Sequence, residues 1–173
     1  MATLVLTAIG EDRPGLVTAM SDLVVEHGGN WEDSRMAELA GKFAGIVLVT
    51  VPDDQVEALV AALSGLKDRG LLDVHAEPGG EHRPAAASAV LHLVGSDRPG
   101  IVREISAVLA SAGVSIDELS SSTIEAPMAG GTLFEARAVL GLPEGLALSE
   151  VQSALEKVAD ELMVDLDLEP ASG

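Results

Sequence analysis

The chain has no cysteine and no tyrosine, and its aromatic residues are one tryptophan and two phenylalanines: Trp31, Phe43 and Phe134. Without cysteine there is no disulfide framework and no thiolate chemistry, which fits a reducing, cytoplasmic setting. Three scattered rings offer no platform on which bases could stack. Cations are scarce too, ten Lys and Arg against 28 Asp and Glu, for a formal charge of −18. A polyanion repels phosphate backbones unless its basic residues are concentrated, and these are dispersed, so no direct nucleic-acid binding is expected. No apolar run approaches the roughly 18 residues of a membrane span. The apolar stretch 3–9 lacks a basic leader and a cleavage pattern, so it reads as a strand rather than a signal peptide, and no membrane partner is expected. The four histidines, His27, His75, His82 and His92, have no metal-ligand spacing, and no cofactor is implied. Asp165, Asp167 and Glu169 share one strand face, which reads as a solvated face rather than a cation site.

What the chain does have is a phrase said twice. Gly10-Glu11-Asp12-Arg13-Pro14-Gly15-Leu16-Val17 returns 85 positions later as Gly95-Ser96-Asp97-Arg98-Pro99-Gly100-Ile101-Val102. An apolar run precedes each copy, and a helical pattern follows each and stops at Gly28 or Gly113. In the first half the stripe is Leu16, Met20, Leu23, Val24 and His27, the spacing of one helix face. Residues 31–39 and 42–51 read as a hairpin turning at Ala40-Gly41. A second helix opens at Pro52-Asp53-Asp54 with the stripe Val56, Leu59, Val60, Leu63 and Leu66, and 71–77 makes a last strand. The second half repeats the order: strand 89–94, helix 99–112, hairpin strands 114–124 and 132–140, a helix carrying Val151, Ala154, Leu155, Val158 and Leu162, and an alternating strand from Val164. The predicted fold is α+β, two ferredoxin-like βαββαβ domains, each an antiparallel four-stranded sheet with two helices on one face. The expected division is 1–78 and 89–170, with 79–88 a Gly- and Pro-containing linker. Small cores and open sheet edges make pairing expected, within the chain or in a homodimer.

Aligning Pro52 with Pro143 needs an offset of 91 instead of 85, so the second hairpin is six residues longer. The extra residues fall around Ala126-Pro127-Met128-Ala129-Gly130-Gly131, a candidate contact element.

Two βαββαβ copies, each with Asp-Arg-Pro-Gly after its first strand and a glycine-closed turn before its second, resemble the ACT domain family. Two copies alone, with the stretch Ala126 to Phe134 in the second, are similar to that family's glycine cleavage system transcriptional repressor group. The resemblance implies a small-molecule sensor rather than an enzyme: a small amino acid bound between the first loop of one copy and the start of the second strand of a neighbouring copy. Carried onto this chain, the loop residues are Asp12, Arg13, Pro14, Gly15 and Leu16, with Asp97, Arg98, Pro99, Gly100 and Ile101 in copy two. The facing positions are Gly29, Asn30 and Trp31, and Val114, Ser115 and Ile116. The implied partners are that amino acid and a protein, itself a regulator or an enzyme.

The chemistry is reasonable. A helix start presents unpaired amides and the positive end of a dipole to a carboxylate, and Asp12 or the Asn30 amide oxygen could accept from an ammonium. The same residues also serve simply to start a helix, Asp12 as its cap and Pro14 in its first turn, and Arg13 and Arg98 could pair with local carboxylates. Two further readings stand beside the sensor: a small hydrolase like the acylphosphatases, which share the strand order, with Arg13 and Asn30 as the working pair, and an ACT interaction module without a ligand.

Overall fold

The computed structural model describes residues 1–128 and 130–172. The chain forms two compact units, 1–81 and 82–173. The first unit contains β1 (Ala2–Glu11), α1 (Leu16–Glu26), β2 (Asn30–Leu39), β3 (Lys42–Val51), a short 3-10 turn (Asp53–Gln55), α2 (Val56–Asp68) and β4 (Asp73–Pro78). The second contains β5 (Ala87–Ser96), α3 (Ile101–Ser111), β6 (Ser115–Glu125), β7 (Thr132–Leu142), α4 (Leu148–Leu162) and β8 (Val164–Pro170). Each sheet is fully antiparallel, in the orders β2-β3-β1-β4 and β6-β7-β5-β8. These are the two ferredoxin-like βαββαβ domains expected from the sequence.

Each unit has its own core. In the first, Leu4, Leu6 and Ala8 of β1 and Val47, Val49 and Val51 of β3 alternate inward to meet Leu16, Met20 and Val24 of α1 and Leu59, Leu63 and Leu66 of α2. The period-two face of the strands and the 3.6-residue stripe of the helices therefore close on each other. In the second unit the same positions are held by Leu91, Leu93, Ile101, Ile105, Leu109, Leu140, Val151 and Leu155. Along β8, Val164 and Leu168 are buried while Asp165, Asp167 and Glu169 are exposed. No helix among the described residues is long and apolar enough to cross a membrane.

The structure changes some boundaries. β4 begins at Asp73, because the Leu71 amide turns back onto the Leu66 carbonyl (3.0 Å) and Leu72 packs in the core. β5 takes in Ala87 and Ser88, which pair with Leu142 and Gly141. The first hairpin turns on Ala40 (φ 50) and Gly41 (φ 80), whose two positive φ values make the tight connection that suits a strand pair's twist. The second hairpin spans 126–131 between its strands, closed by the Ala126 amide on the Gly131 carbonyl at 2.9 Å. Met128 stands there 98% exposed, and Ala129 lies outside the described residues.

The helix starts are also corrected. Neither Asp12 nor Asp97 caps a helix, and Pro14 and Pro99 are not in one: α1 starts at Leu16 and α3 at Ile101, with Gly15 and Gly100 as the capping residues and no side-chain cap hydrogen bond. Gly15 sits at φ 92, ψ 2 and Gly100 at φ 96, ψ −1. That is the third-residue conformation of a type II turn, which Pro-Gly favours and which excludes an ordinary side chain. Pro-Gly therefore reverses the chain one turn before the helix begins.

Candidate functional site

The loop of copy one is anchored at its start. The Asp12 amide donates to the Gly41 carbonyl at the hairpin tip (2.8 Å), and Asp97 does the same to Thr132 (2.8 Å). Beyond each Pro-Gly the first intrahelical bonds are Ala19 to Gly15 and Glu104 to Gly100, both 2.9 Å. The amides of Leu16, Val17 and Thr18, and their counterparts in α3, precede those bonds and have no capping side chain. A Cβ placed on Gly15 or Gly100 would meet nothing within 4 Å, so the space beside both turns is open. Leu16 and Ile101 are only 2% exposed, each in its unit's core, which leaves their backbone as what they can offer a ligand.

The two arginines of the repeated phrase are not equivalent. Arg98 donates to the Leu162 carbonyl at the end of α4 (3.3 Å), a structural use of a cation at a helix C-terminus. Arg13 is exposed and makes no hydrogen bond or ion pair among the described residues. Neither pairs with a carboxylate there, so the ion-pair alternative does not account for them. Beside the first loop lies a hollow of about 350 Å³ lined by Gly10, Glu11, Lys42, Lys67 and Asp73. Its lysines are already committed, Lys42 to Glu11 and Lys67 to Asp73 at 2.8 Å.

The facing residues lie elsewhere in the sheet. Asn30 pairs across β3 at Thr50, and Thr50 pairs with Thr3 near the start of β1, whereas Asp12 follows Glu11 at the end of β1. Eight residues of strand separate the two, roughly 27 Å at 3.4 Å per residue. Ser115 and Asp97 are separated in the same way, through Gly141 and Ser88. Within one copy, then, loop and facing residues stand at opposite ends of the sheet, and one small ligand could touch both only if the facing residues came from another copy. Arg13 and Asn30 of one copy are likewise too far apart to hold one phosphate and its attacking water. Trp31 packs half-buried against its core. At Gly29 a Cβ would lie 2.9 Å from the Thr50 oxygen and 2.9 Å from Val24, so close packing alone requires glycine there.

At the start of the second strand the structure adds residues that the sequence reading passed over. A bulge falls between Trp31 and Asp33 in copy one and between Ile116 and Glu118 in copy two, leaving Glu32 and Asp117 as the unpaired residues. Asn30 donates to Glu32 (2.9 Å), and Ser115 donates to Asp117 (2.9 Å). The Thr50 hydroxyl also donates to Glu32 (2.9 Å). These hydrogen bonds, Asn30 first and then Thr50, hold the Glu32 carboxyl below the usual glutamate range. The signal was in the sequence as an acid two residues after Asn30 and again after Ser115, 85 positions apart. Among the described residues no group of three His, Cys, Asp or Glu could hold a metal ion.

Tandem βαββαβ units, each with an uncapped Pro-Gly helix start and a bulged acid at the second strand, place the chain by fold in the class of tandem ferredoxin-like proteins. The particular family follows from comparison: the model of the ACT domain matches residues 2–77 and 88–169, and the chain belongs to that family. It is 26% identical over 161 residues to the glycine cleavage system transcriptional repressor of Escherichia coli, covering 92% of this chain and 85% of that protein. A crystal structure of an unknown protein from Galdieria sulphuraria is 35% identical with a TM-score of 0.84, covering 99% of each chain. A second solved structure, provisionally described as a glycine cleavage system transcriptional repressor, has a TM-score of 0.74 over 99% of this chain and 98% of its own at 22% identity, and shows the shared fold.

Proposed function

We propose that this protein is a non-catalytic, amino-acid-sensing regulator. A small amino acid binds where the Pro-Gly helix start of one ACT copy meets the second-strand start of another, favours one arrangement of the copies, and so modulates a protein partner. By its likeness to the Escherichia coli repressor, we place that partner in the control of glycine cleavage. The observation that carries the reading is the uncapped helix start found in both copies, each behind a glycine that only the turn conformation requires. Such a start holds a carboxylate through backbone amides alone. Since loop and facing residues stand at opposite ends of each sheet, pairing of copies, within the chain or in a homodimer, is part of the proposal. Coupling of this kind is worth about 1 to 3 kcal/mol, enough to shift a population without rearranging a fold. With a charge of −18, control of transcription would run through a protein rather than by contact with DNA.

Calorimetric titration with a panel of amino acids, glycine and serine included, tests the reading. Binding by at least one, weakened by Gly15→Leu or Asn30→Ala, supports it. Absence of binding by every member of the panel refutes it.

A further inference from the structure

We propose that the segment joining the two copies completes a binding cleft for a zwitterion in copy two, with Arg83 receiving the carboxylate of a small amino acid and Asp117 and Glu144 its ammonium. This rests on the amino-acid-sensing reading and assigns, within it, residues of the linker to one site. The cleft measures about 440 Å³, within the usual range of small-molecule sites, and lies wholly within the unit 82–173. Three stretches line it: the joining segment with His82, Arg83 and Ala85, the start of β6 with Ser115 and Asp117, and Glu144 just after β7.

The segment is held against the second sheet, because the Ala86 amide donates to the Leu142 carbonyl at 3.1 Å. The floor is Gly141, which is buried. A Cβ on Gly141 would lie 2.5 Å from the Ser115 oxygen, 3.0 Å from the Ala85 methyl and 3.1 Å from an Asp117 carboxylate oxygen. Serine, aspartate and linker thus converge above the one position of the strand that has no side chain.

Copy one differs at the same place. There the residue opposite Asn30 is Thr50, as Gly141 is opposite Ser115, and the Thr50 hydroxyl donates to Glu32. Glu32 accepts from both Asn30 and Thr50, whereas Asp117 accepts from Ser115. In copy two the place that a side chain takes in copy one is taken instead by Ser115, Asp117 and the Ala85 methyl of the linker, which brings the linker into the site. Arg83 makes no hydrogen bond or ion pair among the described residues, so its guanidinium is available. Its planar fork matches a carboxylate in two parallel hydrogen bonds, while the carboxylates of Asp117 and Glu144 in the same lining suit an ammonium and no simple anion.

The test is calorimetry on the full chain with the twenty standard amino acids as probes. The expected result is a binder whose Kd rises about tenfold or more in Arg83→Gln and in Asp117→Asn, the loss of one charge-assisted contact. Glycolate and methylamine, each keeping one end of glycine, are expected not to compete. Binding that stays within about twofold in both variants overturns the cleft and, if it still falls in Asn30→Ala, leaves the sensor reading intact. Competition by glycolate as strong as by the amino acid reduces the cleft to an anion site and also overturns the proposal. If none of the twenty binds the wild-type chain, both readings fall together.

Discussion

Replacing Gly15 by alanine is expected to destabilise the first unit by about 1 to 2 kcal/mol, the cost of forcing an L-residue into the left-handed region. The site isolates that cost. At φ 92 the backbone is unsuited to a Cβ, yet an added Cβ would meet nothing within 4 Å, so neither clash nor lost packing contributes. Asparagine, which tolerates positive φ better, is expected to cost less than alanine. The assay is urea unfolding followed by tryptophan fluorescence, because Trp31 is the chain's sole tryptophan and packs half-buried in this unit, so the signal reports the first core alone. For a unit of 81 residues the expected loss corresponds to roughly 5 to 15 °C in Tm. The denaturant slope is expected to stay the same, since the surface exposed on unfolding does not change. An alanine variant that is neutral, or more stable by the roughly 0.4 to 1 kcal/mol that a compatible Gly-to-Ala change gives, would refute the account of the loop.

Other predictions concern the core, the second arginine, one ion pair and nucleic acid. Leu6→Ala, at a fully buried position in the middle of β1, is expected to cost about 2 to 5 kcal/mol by the same fluorescence assay; exposed Val17→Ala is expected to cost far less. Arg98→Gln is expected to weaken the end of α4 by about 0.3 to 1 kcal/mol, read as faster amide exchange there, while Arg13→Gln leaves α2 unchanged. Hydrogen bonding to Asp73 raises the Lys67 pKa, and the same bond lowers that of Asp73. Their contribution is present above the unfolded Asp value near pH 3.9 and is lost as pH falls through the lower folded value. At the other end it is present below about pH 10.4 and is lost as pH rises through the raised Lys67 value. Lys67→Met is therefore expected to lower Tm between those limits and to match wild type beyond them, and a difference that ignores pH would count against the pair. A gel shift with the purified protein at physiological salt is expected to show no DNA complex.

The two readings of Asp-Arg-Pro-Gly that compete in the sequence part company in the structure. Asp12 and Asp97 looked like helix caps by residue type, and Pro14 looked like a first-turn proline. Both expectations follow local statistics, and both gave way to the glycine, whose positive φ moves the helix start past the proline. Arg13 and Arg98 are identical in sequence, yet Arg98 reaches the end of α4, 64 residues away, and Arg13 reaches nothing among the described residues. The acids Glu32 and Asp117 repeat at the same interval as the loops, but an acid two residues into a strand reads as an ordinary exposed position until a bulge is seen.

By itself the sequence determined the order and kind of the elements, because strand and helix periods, glycine stops and the duplicated phrase are local properties of the chain. It also determined the two-unit plan and the six-residue difference between hairpins. Only the tertiary structure decided which ends of the sheet hold which residues, since antiparallel pairing carries Asn30 to the opposite end from Asp12. It likewise decided that Gly141 stands opposite Ser115 where Thr50 stands opposite Asn30, because the partner across a ladder is set by register and cannot be read from neighbours in the chain.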